Sequence, residues 1–137
     1  MDRIAFWELM PPKTTVNGEV YRDFLKHHIR KWACGRDLLY LWIHQDNARP
    51  HKHQLVKQYL EENKTHSWPH PAYSPDISPL DYGCFALLKR KLQGIHHNGW
   101  STFERNLEAA VKELNESGSM EAIARLHERW QRAINAQ

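Results

Sequence analysis

The chain has 137 residues, 26% of them charged and 41% hydrophobic, with a net charge of +3 when its ten histidines are counted as neutral. That length suits one domain with a real core and is too short for a catalytic domain beside a separate recognition domain. The composition excludes a disordered chain, and no run approaches the roughly 18 apolar residues of a membrane span. Met1, Asp2 and Arg3 are not followed by a signal peptide's apolar core, and Cys34 and Cys84 stand far apart, outside C-x-x-C or metal spacing. An intracellular protein with buried or idle thiols is expected, without a disulfide framework or a zinc ribbon. The modest positive charge permits a polyanionic partner without demonstrating one. Arg49, Lys52 and Lys57 follow one aspartate and Lys89, Arg90 and Lys91 follow another, although such clusters also occur as plain solvated helix faces.

In chain order, residues 4–9 (IAFWEL) form an aromatic-rich run stopped by Pro11 and Pro12, the pattern of a strand with a turn behind it. Asn17 can cap a helix in which Val20, Phe24, Leu25, Ile29 and Trp32 recur at helical spacing, with Gly35 as its stop. Residues 38–43 (LLYLWI) show no polar alternation, which fits a central, parallel strand covered on both faces. Asp46 lies just beyond its carboxyl end. Pro50 suits the first turn of a helix reaching about residue 63, with Leu55, Val56, Tyr59 and Leu60 as its apolar stripe, and a short strand over residues 66–68 follows. Pro69, Pro71, Pro75 and Pro79 keep residues 69–79 from regular helix, while Ser78 and Pro79 read as an N-cap and a first helical position. The helix they open carries Asp81 in its first turn, where the helix dipole favours a carboxylate, and Cys84, Phe85, Leu88 and Leu92 on its buried side. Ser101 and Glu104 match a capping box before a helix with Phe103, Leu107, Ala110, Val111 and Leu114 on one face, broken at residues 117–119. A last helix carries Ile123, Leu126, Trp130 and Ile134. The succession of elements is α/β, with a helical flank at about residues 101–137.

An aspartate at a strand's carboxyl end and another in a following helix's first turn lie at the same edge of an α/β sheet, where ligand sites concentrate. Two convergent carboxylates without a cysteine or histidine cluster suit a hard divalent cation, Mg²⁺ or Mn²⁺, and through it phosphodiester chemistry. Such a site ordinarily needs a third carboxylate. The residues alone leave three readings open. Asp46 can share a metal with Asp76 or Asp81. Asp46 can be a turn residue and Asp81 a helix cap. Alternatively, His44, His51 and His53 can form a zinc or copper site.

The segments HQDNARPH (residues 44–51) and HPAYSPDISPLDYGCF (residues 70–85) strongly resemble the last two catalytic motifs of mariner-type transposases, DDE/D enzymes of the Tc1/mariner superfamily. Residues 47–80, 34 in all, separate Asp46 from Asp81, the spacing that marks the family's final aspartate pair. ELMPPKTTVNGEVYRDFL before the motifs, and LKRKLQG and LHERWQRAI after them, extend the resemblance over essentially the whole chain. The resemblance implies an RNase H-like fold with a mixed five-stranded sheet, and metal-dependent DNA cleavage and strand transfer in DNA transposition. It implies Mg²⁺ or Mn²⁺ as cofactor, with Asp46 and Asp81 as catalytic metal ligands and Asp76 not a ligand. It also implies DNA contacts from Arg49, Lys52, Lys89, Arg90 and Lys91, and a nuclear protein acting on transposon ends, able to pair as a homodimer.

Against that family pattern the first two strands and the first catalytic aspartate are absent, so residues 1–137 are expected to form one partial catalytic domain. Asp2 does not substitute, because no apolar strand leads into it. The resemblance then implies weak metal binding, little or no DNA cleavage by the isolated chain, and open sheet edges that leave it poorly stable or dependent on a partner. A decayed or domesticated remnant, binding DNA or protein without catalysis, is the alternative reading. Mariner modules also occur fused to a histone methyltransferase domain, and no residue here belongs to such a domain.

Overall fold

A computed structural model of the chain describes residues 3–33, 41–117 and 121–136. Among them run helix α1 (Gly18–Ala33), strand β1 (Trp42–His44), helix α2 (Gln54–Glu62), strand β2 (His66–Trp68) and a 3₁₀ turn (Pro75–Ile77). A π-helical turn (Leu80–Phe85) then leads into α3 (Ala86–Leu92), followed by α4 (Trp100–Ser117) and α5 (Leu126–Asn135). The fold is α/β, a small sheet with flanking helices, and it divides into two units: Glu8–Tyr73, and Met1–Trp7 with Ser74–Gln137. No helix among the described residues is long and apolar enough to cross a membrane.

In the unit Glu8–Tyr73, α1 begins as its sequence implies: the Asn17 side-chain oxygen accepts the Val20 N–H at 2.9 Å, satisfying one of the first turn's orphan donors. Leu25 and Ile29 of α1 meet Val56, Tyr59 and Leu60 of α2 in a core flanked by Tyr21, Phe24, Leu41 and Ile43. Gly18 makes the approach possible, since a Cβ there would collide with the His53 ring. α2 itself starts at Gln54 rather than near Pro50. Pro50 sits instead in a tight turn, with Lys52 N–H donating to Ala48 O at 3.3 Å and His53 N–H to Pro50 O at 3.2 Å. His53 then caps the helix through Nδ1, which accepts the Leu55 N–H at 3.3 Å.

β1 and β2 pair in parallel, with Trp42 opposite His66, Ile43 opposite Ser67 and His44 opposite Trp68. The parallel sense matches the apolar run from which β1 was expected; the double cover does not. Trp42 is 50% exposed and every residue of β2 is exposed. Residues 38–40 of that run, with Cys34 and Gly35, lie outside the described residues.

In the other unit, the strand expected over residues 4–9 is not in a sheet. A strand needs a ladder partner, and here a side chain takes that place. Asn115 of α4 accepts the Ile4 N–H at 2.8 Å and donates Nδ2–H to the Ile4 carbonyl at 3.0 Å. Ala110, Val111 and Leu114 form the buried face of α4, as their spacing implies. The capping box at Ser101 does not form. Gly99, at φ 93°, turns the chain into the helix earlier, and the Phe103 N–H donates to the Gly99 carbonyl at 3.2 Å. The helix bearing Asp81 opens as a π turn, whose wider winding shifts the inward face: Gly83 is buried and Phe85, expected inside, is 49% exposed. α5 starts at Leu126, leaving Ile123 in the preceding turn; Ile123 and Ile134 are exposed, while Leu126 and Trp130 are half-buried.

Candidate functional site

The first motif begins where β1 ends. Asp46 Oδ1 accepts the Ala48 N–H at 2.9 Å, the Asx turn that an aspartate after a strand favours. The turn through Pro50 folds His51 back, bringing its Nδ1 to 2.6 Å from the same carboxylate oxygen. The Ala48 amide and, with it, the His51 ring hold the Asp46 carboxyl below its ordinary range, against a smaller opposing effect of burial. The side chain remains about half exposed, so a charged carboxylate faces solvent from a braced loop.

Four further contacts within this unit steady the loop. Tyr21 of α1 donates its hydroxyl to Gln45 Oε1 at 2.8 Å, and its ring centroid lies 4.4 Å from that of His51. Burial, then the charge on Asp46, pushes the Tyr21 phenol up to about 12. His44 Nε2 and His70 Nδ1 share a hydrogen bond of 3.0 Å, and burial, then His70, lowers the His44 pKa. Asn47 Nδ2 donates to the His70 carbonyl at 2.6 Å. The start of the second motif, at His70, is thus tied to HQDN by two hydrogen bonds.

The zinc or copper reading does not survive this geometry. His44 pairs with His70, His51 with Asp46, and His53 caps α2. Among the described residues no group of three His, Cys, Asp or Glu side chains is placed to hold a metal ion.

The second aspartate belongs to the other unit. Ser78 accepts at its carbonyl from Asp81 N–H (3.0 Å) and Tyr82 N–H (3.1 Å), and no side chain caps the π turn at Pro79. Asp81 is exposed in this first turn, and its carboxylate has no hydrogen bond or ion pair among the described residues. Asp76 is exposed in the 3₁₀ turn, where its carbonyl accepts from Arg129 Nη1 at 3.0 Å. Arg49 and Lys52 are exposed in the turn after Asp46, and Lys89 and Arg90 at the end of α3. Lys91 is partly buried and engaged, 2.5 Å from Glu113 Oε1. Tyr21, His70 and Arg129 lie in stretches that carry the family resemblance, but sequence reasoning gave none of them a role, because each acts across 23 residues or more.

No family model matches the sequence. The mariner Mos1 transposase of Drosophila mauritiana is 26% identical over 96% of this chain and 39% of its own length. The human histone-lysine N-methyltransferase SETMAR is 39% identical over 66% of this chain and 13% of its own. The crystal structure of the Mos1 catalytic domain superposes with a TM-score of 0.88 at 26% identity, covering 96% of this chain and 67% of that one. The chain is a homologue of the mariner transposase catalytic domain. Its sheet and flanking helices match that RNase H-like domain. The Mos1 paired-end complex with Mg gives a TM-score of 0.89 at 27% identity, over 98% of this chain and 40% of that one. The chain therefore spans less than two fifths of the Mos1 transposase and a smaller part of SETMAR.

Proposed function

We propose that this chain is part of a mariner-type transposase catalytic domain, residues 1–137 forming one partial domain whose family activity is metal-dependent DNA cleavage and strand transfer. The observation that carries the reading is the match to the Mos1 catalytic domain over 96% of the chain. Asp46 and Asp81 are the proposed catalytic metal ligands, and the aspartate of SPD, Asp76, is not one. The partner is DNA, contacted through phosphates by Arg49, Lys52, Lys89 and Arg90, with Lys91 reaching it only by leaving Glu113. Mos1 structures with Mg and with Mn, and paired-end complexes with a transposon end, support Mg²⁺ or Mn²⁺, a DNA-bound homodimer and a nuclear location.

The donors fit such a cation in kind, being carboxylate oxygens, and fall short in number, since no group of three is assembled among the described residues. When bound, the cation would supply charge stabilisation at a phosphodiester. The residues present do the rest: Ala48 and His51 keep Asp46 ionised and aimed, and the π turn leaves Asp81 open to solvent. With two carboxylates, little or no cleavage is expected from the isolated chain. A supercoiled-plasmid assay with Mg²⁺ or Mn²⁺ tests this: reproducible nicking that Asp46→Ala or Asp81→Ala abolishes would show a working site and overturn the expected inactivity.

The shortage of donors favours a second reading, a non-catalytic module that binds DNA or protein. DNA affinity that falls steeply with salt and does not change on metal removal would select it.

A further inference from the structure

We infer that Arg129 and Trp130 of α5 are positioning residues for Asp81, an inference that rests on the reading of Asp81 as a metal ligand. The segment around Asp81 has little to hold it from within. Its 3₁₀ turn buries no residue, its π turn buries only Gly83, and Pro75 and Pro79 remove two backbone donors. A π turn is a rare, less favourable winding that persists where surrounding contacts impose it.

α5 and the turn before it supply those contacts on both sides of Asp81. Before it, Arg129 Nη1 donates to the Asp76 carbonyl at 3.0 Å and Trp130 Nε1 donates to the Ile77 carbonyl at 3.3 Å. After it, the Arg129 guanidinium lies 3.9 Å from the centroid of the Tyr82 ring, whose hydroxyl donates to the Ala122 carbonyl. Gly83 packs so closely on Ala122 that a Cβ would collide with it. Arg129 thus touches both flanks at once, through a carbonyl five residues before Asp81 and a ring one residue after it. The two hydrogen bonds end on backbone carbonyls, so they fix the path of the chain while leaving the Asp81 carboxylate uncovered. A guanidinium suits the task because it can donate in its plane while stacking on an aromatic face.

The test uses the full chain, isotope-labelled, with Mn²⁺ alone as a paramagnetic probe that broadens nearby backbone NMR signals. Trp130→Phe deletes the indole N–H and keeps an aromatic ring, though a smaller one; Arg129→Ala deletes both of that residue's contacts. Each should raise the Mn²⁺ needed to broaden the Asp81 signal by about ten-fold, the scale seen when groups that orient metal ligands are removed. The Leu114 signal, from the α4 core, should stay in place, and Arg129→Lys should recover part of the loss. Unchanged broadening in Trp130→Phe and Arg129→Ala would overturn the positioning role while leaving Asp81 a ligand. Absence of broadening at Asp81 in the unsubstituted chain would instead remove Asp81 as a ligand, and the positioning role with it.

Discussion

Tyr21 shows how a residue of α1 takes part in the loop that bears Asp46. Its phenol stays neutral in the folded chain up to about 12, whereas an exposed tyrosine ionises near 10. A raised folded pKa means that the stabilisation is complete below the unfolded value and is lost as pH rises through the folded one. Urea unfolding between pH 10 and 12 should therefore show falling stability, and Tyr21→Phe should flatten that alkaline slope, leaving the part that comes from Tyr59 and Cys84, which burial also pushes up. At neutral pH the same substitution should cost about 0.5–1.5 kcal/mol, for the lost hydrogen bond to Gln45. The Asx turn at Asp46 was legible in the sequence because an aspartate bonds its own neighbourhood. Its His51 and Tyr21 supports were not, because they depend on how a turn and a distant helix meet. His51 entered the sequence reading as a candidate metal ligand and as the last residue of HQDNARPH, and in the structure it braces Asp46.

At the scale of elements, caps and close approaches decide more than propensity. Removing the α1 cap with Asn17→Ala should cost about 1 kcal/mol, measured by thermal unfolding. Gly83→Ala would ordinarily help a helix by about 1 kcal/mol. Here the new methyl meets Ala122, so a net loss of about 1–3 kcal/mol is expected from overpacking. Ala122→Gly in the same chain should restore most of that loss, a double-mutant test that separates the clash from any effect on the π turn alone. The long helices α1 and α4 were legible because their apolar residues repeat at 3.6-residue spacing over several turns. The start of α2, the entry to α4 and the π turn were not. Pro50 is as compatible with a turn as with a helix start, Gly99 offers an entry that a capping box cannot compete with, and a π turn has no periodicity of its own within six residues.

At the scale of the whole molecule the two units draw on small cores. Among the described residues Val56 and Leu114 are the largest fully buried side chains, one in each unit. Leu114→Ala should cost about 2–5 kcal/mol in urea unfolding, since the surrounding helices cannot fully close the cavity. The sheet is weaker still: among the described residues it has two parallel strands of three residues each, where parallel sheets are normally covered on both faces and two strands alone are marginal. The purified chain is accordingly expected to be of low stability and to unfold at low urea, followed by circular dichroism; a monomer that stays folded into high urea would contradict this. The α/β order and the parallel pairing were readable from the chain because apolar runs and helices alternate. The bare sheet was not, because a continuous apolar run reports what a strand is suited to lie against and is silent on whether that neighbour is there.

The exposed face of that sheet has an optical consequence. Trp42 stacks on His66 at 4.8 Å and lies 5.5 Å from Trp68, so two indoles and an imidazole sit together in water. Anything that covers this face will dry both indoles, and their fluorescence will shift to shorter wavelength as it does so. Two of the chain's six tryptophans therefore report cover of this face without a label, and Trp42→Phe with Trp68→Phe should remove their share of the shift.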